Sequence, residues 1–269
     1  MASEPPEPRT PHQARTIAES FGLDAELYDR TRPRYPDALV QKILAAGHGS
    51  HVLDVGCGSG IVARPFLEAG SDVLGVDPDE RMASFARHRG LEVEVSTFES
   101  WDAAGRQFDF LVAGQSWHWV DPMIGAARAA EVLRPGGRLA LFWYVFEPPP
   151  ALKEAFSAIY QSVLPGTPFS QGTTPGLDGY SAIFARASDG LAQTGKFRES
   201  AQWRFDWGHS YTRGEWLEQV PTFGGHSQLP PAQLQELLVG IGAAIDAVGG
   251  TFSMHYIAVA VTAERAEEG

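Results

Sequence analysis

The sequence predicts an α/β fold in which a seven-stranded, mostly parallel sheet is covered by helices on both faces. Short apolar segments rich in β-branched residues alternate with helical segments through residue 146, as strands buried on both faces require. The first of these segments runs directly into a glycine-rich turn, within His51–Gly60. Two further strand patterns, over 197–207 and 252–261, follow the five alternating units and complete the predicted sheet.

Length and composition restrict the class of protein. The chain has 269 residues, of which 43% are hydrophobic and 20% charged, and this suits one large α/β domain with or without a small cap. No apolar run approaches the roughly 20 residues of a membrane helix, and the N-terminus lacks the apolar core of a signal peptide. The single cysteine, Cys57, excludes a disulfide within the chain. We therefore expect a cytoplasmic protein with no membrane partner.

The charge of the chain argues against nucleic acid as a partner. Its formal net charge is −12, whereas contacts between basic side chains and phosphates supply most of the affinity for nucleic acids. The eight histidines are scattered, with no pair at metal-binding spacing, so we expect no metal site. A small molecule is the expected partner, and the chain itself is expected to be a monomer or homodimer.

The glycine-rich turn suits a ligand that carries charges of both signs. Asp54, Gly56, Gly58 and Gly60 form the pattern acidic-x-Gly-x-Gly-x-Gly. Glycines let the backbone approach a ligand closely, and the helix start behind the turn offers unpaired N–H groups. A dinucleotide-binding turn would instead carry its third glycine at position 61, which is Ile61. From the residues alone, a purely structural turn or another nucleotide site remains the alternative.

The second strand pattern ends in an acid, Asp77, which follows Asp54 by 23 residues. In nucleotide-binding folds an acidic residue at about that spacing accepts hydrogen bonds from ribose hydroxyls. The alternative role is a helix N-cap, although Asp79 suits that role better because it directly precedes a helical segment. We therefore expect Asp77 to bind a ribose.

These two motifs resemble the first and second motifs of the class I S-adenosylmethionine-dependent methyltransferases. The resemblance implies a Rossmann-like sheet whose last strand is antiparallel, and it implies S-adenosyl-L-methionine as the cofactor. It also implies roles for the matching positions. Asp54 and the three glycines would hold the methionine end of the cofactor, and Asp77 would hold its ribose.

The resemblance extends to residues outside these motifs. The N-terminal helix that carries Tyr28 and the following Arg32–Pro36 stretch look like the segment that covers the cofactor in many small-molecule members. By that likeness Tyr28 would line the site and Arg32 would face the methionine carboxylate. Phe98 stands where the family contacts adenine, although members often carry a small residue there, and Gln115 would also bind the cofactor. Simple core packing is the alternative for the aromatic residues.

The loop after the fourth strand, Gly114–Trp119, is expected to face the methyl group that is transferred. Its Ser-x-His-Trp-x-Asp sequence resembles a stretch of the methyltransferases grouped as type 11, including trans-aconitate methyltransferase-like proteins. His118 is the candidate general base because imidazole titrates near neutral pH, and a hydrogen-bonded scaffold is the alternative. Trp117, Trp143 and Tyr144 are expected to line the acceptor pocket.

We expect a single methyltransferase domain over 14–269, preceded by a disordered tail at 1–13. The domain divides into an N-terminal lid, a cofactor-binding core, a helical cap, and C-terminal strands and helices. Their expected ranges are 14–36, 37–150, 151–195 and 196–269.

The leading hypothesis is methyl transfer from S-adenosylmethionine to a small-molecule carboxylate, hydroxyl or phenol by in-line displacement. A non-catalytic S-adenosylmethionine-binding module is one alternative, because methyl transfer needs no obligatory catalytic side chain. An NAD(P)-dependent oxidoreductase is a second alternative. Ile61 in place of the third glycine disfavours it, as does the lack of a Tyr-x-x-x-Lys pair for hydride transfer.

Overall fold

The central sheet contains seven strands within residues 20–167 and 176–267, the part of the chain that the structure, a computed structural model, describes. The strands are β1 (His51–Val55), β2 (Asp72–Asp77), β3 (Glu92–Val95), β4 (Phe108–Gly114), β5 (Leu133–Glu147), β6 (Ala201–Thr212) and β7 (Thr251–Glu264). Their spatial order is β3-β2-β1-β4-β5-β7-β6. Strands β1 to β5 are parallel, whereas β7 runs antiparallel to both β5 and β6. The predicted sheet, with its antiparallel last strand, is confirmed.

Helices cover both faces of this sheet. The α-helices of the described residues are α1 (Ala25–Thr31), α2 (Asp37–Ala45), α3 (Ala63–Glu68), α4 (Glu80–His88), α5 (Pro122–Val132), α6 (Pro150–Val163), α7 (Leu177–Thr194), α8 (Arg213–Gln219) and α9 (Pro231–Ala247). One hydrophobic cluster joins the sheet to α2, α3, α4, α6, α8 and α9, and a second joins the other face to α5 and α7. Alternate strand residues belong to opposite clusters, as the two-residue period of a strand requires.

The strand order reverses between β1 and β4. The chain passes from β1 outward through β2 to β3, then crosses back and places β4 on the other side of β1. In open parallel sheets, ligands bind beyond the carboxyl ends of the strands at such a reversal. The glycine turn after β1 and the loop after β4 both leave the sheet at this point.

Strand β5 is longer than its sequence pattern suggests. The sequence predicts a tight turn over 134–138 before a strand from Leu139, but β5 already begins at Leu133 and its register shifts within this segment. The end of the chain holds the segment in place. The Gly136 N–H donates to the Arg265 carbonyl at 2.9 Å, and the Arg265 N–H donates to the Gly137 carbonyl at 2.8 Å. Pairing with a distant residue therefore absorbs the turn into the strand.

The helices after β5 do not all cover the same face. The sequence predicts a cap over 151–195, but α7 packs mainly on the second cluster, where Phe184 lies 5.5 Å from Trp143 between ring centroids. Helices α6, α8 and α9 cover the other face together. The tail predicted at 1–13 lies outside the described residues. None of the described helices is long and apolar enough to cross a membrane.

Candidate functional site

A cavity of about 620 Å³ lies at the carboxyl ends of β1, β2 and β4, where the strand order reverses. Its walls come from the glycine turn, the loops after β2, β3 and β4, helix α1, and aromatic residues of the segments that begin at the end of β5. Most of the site residues predicted from the sequence line it: Tyr28, Arg32, Gly56, Gly58, Asp77, Phe98, Gln115, His118 and Tyr144. The others lie outside its lining: Asp54, Gly60, Trp117 and Trp143.

The glycine turn lies against β2 and the loop after β4. Gly56, Gly58 and Gly60 have φ angles of 67°, 53° and 84°, which residues with a side chain rarely adopt. The Gly56 N–H donates to the Val76 carbonyl at 2.7 Å, and a Cβ on Gly56 would lie 2.5 Å from the Cβ of Ser116. A Cβ on Gly58 would meet no atom within 4 Å. Gly58 therefore keeps an open space on the cavity wall, whereas Gly60 only shapes the turn behind it.

Asp77 lies at the end of β2, beside both the glycine turn and the cavity. Its Oδ2 accepts a hydrogen bond from the Gly58 N–H at 2.8 Å, and its Oδ1 accepts one from the Asp79 N–H at 2.9 Å. Burial raises the pKa of this carboxyl to about 6, although the two N–H donors favour the charged form. Since a carboxylate has about four acceptor sites, both oxygens can still accept hydroxyl groups from a ligand.

Asp54 is fully buried beneath the glycine turn, one residue before the cavity wall begins. Neither of its carboxylate oxygens has a hydrogen-bond partner of normal geometry among the described residues. Burial and the nearby Asp77 charge raise its pKa to about 8, and the Ala63 N–H opposes this shift in part. The side chain follows the strand period and faces α3 instead of the cavity. Asp54 therefore lies outside the cavity lining, whereas the sequence predicts direct contact with a ligand. Its carboxyl group is buried beneath the turn without a hydrogen-bond partner of normal geometry among the described residues.

Tyr28, in α1, and Arg32, directly after it, line the cavity, and the lid role expected of this segment stays a prediction. The guanidinium carbon of Arg32 lies 4.7 Å from the centre of the Tyr28 ring and 5.2 Å from that of Phe223. Arg32 Nη2 donates to the Thr222 carbonyl, while its Nε is buried without a hydrogen-bond partner. Within the described residues no carboxylate forms an ion pair with Arg32. A half-buried cation whose Nε has no partner favours an anionic ligand.

Asp29 joins the lid to the glycine turn, and no sequence pattern identified it. Its side chain accepts hydrogen bonds from the Ser59 hydroxyl at 2.9 Å and from Arg64 Nη2 at 2.6 Å. Burial alone would raise the pKa of Asp29, but the bonds from Arg64 and Ser59 hold it below its usual value. One carboxylate thus connects α1, the turn and α3. The only signal in the sequence is an acid beside Tyr28 in an arginine-rich segment.

His118 lines the cavity as a neutral side chain. Its Nδ1 lies 3.1 Å from Trp143 Nε1, which can only donate, so Nδ1 must be the unprotonated nitrogen. The proton of the neutral ring is therefore on Nε2. Burial also lowers the pKa of His118 to about 4. Both findings favour a hydrogen-bond donor, or the scaffold considered from the sequence, over the expected general base.

Trp117 and Trp143 belong to the core and do not line the acceptor pocket, which corrects the expectation from the sequence. Trp143 lies in β5 between Phe142 and Tyr144, so the strand period turns it toward the face covered by α7. Trp117 packs against Phe98 at 5.8 Å between ring centroids. Both tryptophans are almost fully buried. They support the cavity from behind.

Gln115 and Phe98 complete the wall that contains the glycine turn. Gln115 has a positive φ of 56°, and its Nε2 donates to the Tyr144 carbonyl at 2.8 Å. Phe98 is 3% exposed and stacks on Trp101 at 6.4 Å between ring centroids. Together with the turn and Asp77 they form a surface that we call the glycine wall, defined by Gly56, Gly58, Asp77, Phe98 and Gln115.

A second part of the cavity lining is aromatic, and it was missed from the sequence apart from Tyr144 beside it. This aromatic wall consists of Phe146, Phe156, Tyr160, Tyr180, Trp216, Phe223 and His226. Its rings come from β5, α6, α7, α8 and the segment that follows α8, and only Phe156 and Tyr160, four residues apart on α6, are related by helical spacing. Only the packing of these segments on the sheet brings the rings together.

The strand order, the glycine turn after β1 and the acid at the end of β2 together define the fold of the class I S-adenosylmethionine-dependent methyltransferases. The family model described as "Methyltransferase domain" matches residues 53–141. This part of the chain is therefore a methyltransferase domain of that class. It extends from β1 into β5 and contains Asp77 and His118. Membership of the trans-aconitate methyltransferase-like subgroup stays a prediction.

Two relatives each match about half of the chain. An uncharacterised methyltransferase of Mycobacterium tuberculosis is 38% identical over 132 residues, which are 48% of this chain and 54% of that protein. A malonyl-[acyl-carrier protein] O-methyltransferase of Enterobacter lignolyticus is 30% identical over 155 residues, which are 55% of this chain and 61% of that protein. The chain thus spans little more than half the length of these curated relatives.

A solved structure from Anaeromyxobacter dehalogenans, assigned as a type II methyltransferase, shares the whole architecture. It superimposes with a TM-score of 0.64 at 20% identity and covers 88% of this chain and 99% of that chain. At this identity the likeness shows the fold alone. In the described residues, no group of three or more His, Cys, Asp or Glu side chains could hold a metal ion.

Proposed function

We propose that this protein transfers a methyl group from S-adenosylmethionine to a small-molecule acceptor held between the glycine wall and the aromatic wall. One observation carries the proposal. A single cavity is lined by a glycine turn, by the strand-end acid Asp77 and by Arg32, a half-buried cation without an ion-pair partner among the described residues. The glycine turn suits the methionine end of the cofactor, Asp77 suits its ribose, and Arg32 suits its carboxylate.

The polar atoms of the cavity fit the cofactor group by group. Asp77 has acceptor sites left for the two ribose hydroxyls, because its present partners are only two backbone N–H groups. Arg32 Nε is a buried donor without a partner of its own, which suits the methionine carboxylate. Burial keeps Asp54 largely protonated beneath the turn, and the positive charge of the methionine ammonium would favour its ionised form. Phe98 offers a ring beside the adenine position.

The reaction needs little from the chain beyond alignment and exclusion of water. When bound, S-adenosylmethionine supplies a methyl group on a positively charged sulfur: the acceptor lone pair forms a bond to the methyl carbon as the carbon–sulfur bond breaks, and the electrons of that bond remain on sulfur. A carboxylate acceptor loses no proton, and a hydroxyl acceptor passes its proton to solvent water. Positioning of this kind can lower a barrier by roughly 7–11 kcal/mol.

The side chains nearest the reaction have separate roles. His118 presents its Nε2–H and keeps its Nδ1 in a hydrogen bond with Trp143, so it can orient an acceptor oxygen without taking a proton. Gln115 is fixed by its bond to the Tyr144 carbonyl. The lid and the aromatic wall keep water away from the sulfur. We also propose a cytoplasmic location, which the unpaired Cys57 supports because a reducing compartment keeps thiols free.

Two measurements test the proposal. Calorimetry with S-adenosylmethionine, S-adenosylhomocysteine and NAD is expected to show binding of the first two and none of NAD. A labelled-methyl screen over acids, phenols and amines then tests turnover. Binding of NAD in place of the methyl donor would overturn the assignment. Donor binding without transfer to any acceptor in the screen would instead support the non-catalytic binding module.

A further inference from the structure

The two walls of the cavity differ in chemistry, and the difference bears on the acceptor. The glycine wall offers a carboxylate and backbone groups, which the proposed cofactor would occupy. The aromatic wall offers flat rings. Phe156 and Trp216 are nearly parallel, with centroids 6.3 Å apart and planes at 7°, and Phe146 and Phe223 lie 5.8 Å apart at 22°. Rings of this kind favour a planar aromatic partner, in stacked or edge contact.

One polar pair lies among these rings. Tyr160 Oη and His226 Nε2 are 2.9 Å apart, and they come from two separate segments, α6 and the 3-10 turn His226–Gln228. His226 is 4% exposed. Burial lowers the pKa of His226 to about 4 and raises that of Tyr160 above its usual value, so both are neutral at pH 7. The pair therefore suits a neutral hydrogen-bonding group better than a carboxylate.

The Tyr160 oxygen can accept a hydrogen bond from a ligand whichever way its proton points. If Tyr160 donates to His226, both of its lone pairs remain; if it accepts from the His226 ring, one lone pair and its own proton remain. In either case a ligand hydroxyl finds an acceptor among the rings. Of the charged groups on this side, Arg32 lies 5.2 Å from the Phe223 ring and is assigned above to the carboxylate of the donor. Glu147 and Lys153 are half-buried or exposed, so they lie at the rim.

We propose, on the basis of the function proposed above, that the acceptor is an aromatic compound with two ring hydroxyl groups. One hydroxyl donates to Tyr160 Oη, and the Tyr160–His226 pair is the element that positions the ring. The other oxygen faces the glycine wall and is methylated. That oxygen forms the new bond to the methyl carbon, its proton passes to water, and the carbon–sulfur bond breaks with its electrons left on sulfur.

The test compares ring compounds that differ in one feature. Labelled methyl transfer is measured with catechol, resorcinol and hydroquinone, with phenol as the single-hydroxyl control and cyclohexane-1,2-diol as the non-aromatic control. The best dihydroxybenzene should exceed both controls in kcat/KM by about 10-fold or more, the effect of one hydrogen bond of about 1.4 kcal/mol. Equal rates with phenol would overturn the proposal, as would preferred methylation of an aliphatic carboxylic acid or no transfer to any dihydroxybenzene.

Variants separate a positioning role from a structural one. Tyr160→Phe should raise KM for the best dihydroxybenzene by about 10-fold, leave KM for phenol unchanged and leave donor affinity unchanged. Tyr211→Phe is the matched control, because it removes a buried bond of the same kind, from Tyr211 Oη to Tyr256 Oη at 2.7 Å, away from the cavity. Equal effects of the two variants would contradict the positioning role.

The test still decides if one variant does not fold, and failure of this inference can be told apart from failure of the proposed function. If Tyr160→Phe does not fold, His226→Gln is measured instead, and the comparison between substrates in the unaltered protein still decides. If calorimetry detects no S-adenosylmethionine binding, the proposed function itself fails. If the donor binds and the ring compounds are not discriminated, only the inference about the acceptor fails.

Discussion

The glycine wall and the aromatic wall line one cavity but are specified in different ways. The glycine wall is built largely from backbone conformation at the ends of parallel strands, and its key residues lie in short segments beside the strands. The aromatic wall is built from side chains of segments that lie far apart in sequence. Binding of the methyl donor therefore depends on residues that lie close together in the sequence. The choice of acceptor depends instead on packing between distant segments.

The largest expected effect tests whether the glycine wall binds the donor. Asp77→Ala should weaken S-adenosylmethionine binding by about 100-fold or more, because it removes hydrogen bonds from an ionised group worth about 1.5–3 kcal/mol each. Calorimetry measures the affinity, and a thermal melt checks the fold. Asp72→Ala is the matched control, since Asp72 is the exposed acid at the other end of the same strand. Equal affinities of the two variants would remove Asp77 from the site.

The lid provides the second comparison, because it touches both walls. Asp29→Asn should weaken donor affinity by about 10-fold, mainly through faster dissociation, since it loses the charged bond from Arg64 that holds α1 on the turn. Glu26→Gln removes an exposed charge from the same helix and should have no effect. Stopped-flow dissociation separates the two variants. An unchanged dissociation rate in Asp29→Asn would show that the lid closes without this bond.

The third prediction concerns pH, which should act on Asp54 beneath the glycine turn and not on the aromatic wall. The raised pKa of Asp54, about 8, means that the folded protein binds this proton more tightly than the unfolded chain between about pH 4 and 8. Stability should therefore fall as the pH rises through that window. Asp54→Asn cannot ionise, so its free energy of unfolding should exceed that of the unaltered protein by about 1 kcal/mol or more at pH 8.

At pH 4 the advantage of Asp54→Asn should disappear, because the unaltered side chain is then protonated in the folded state. Denaturant unfolding at the two pH values measures both differences. The same variant should bind the donor more weakly, since its side chain cannot ionise in response to the donor's ammonium group. A constant stability difference from pH 4 to pH 8 would contradict the assignment of the titration to Asp54.

The smallest effect is expected at His118. With a pKa of about 4 the ring is neutral from pH 6 to 8, so kcat should not vary with pH over that range on its account. His118→Gln should lower kcat by less than about 10-fold, because the amide can still donate a hydrogen bond. A general base would contribute about 10²–10⁴-fold. A loss of that size, with a pH profile that changes near neutrality, would restore the base role.

The sequence predicts the sheet and the glycine wall because both follow from short-range rules. Strand periodicity, glycines with positive φ and an acid at a strand end are visible within a few residues of each other. The same rules do not predict which way Asp54 and Trp143 point, since this depends on the register of a single strand and on which helix covers each face. Asp29 and the Tyr160–His226 pair depend on contacts between segments that no local pattern connects.

The bridge between α1 and the segment around α8 has a consequence for synthesis of the protein. Arg30 Nη1 lies 2.5 Å from a Glu218 carboxylate oxygen, and Arg32 donates to Thr222, across 188 and 190 positions of sequence. During synthesis the lid leaves the ribosome early, whereas its partners Glu218 and Thr222 are translated about 190 residues later. The nascent domain should therefore acquire a closed donor site only near the end of translation, and C-terminally truncated chains should leave that site open even where the central sheet has formed.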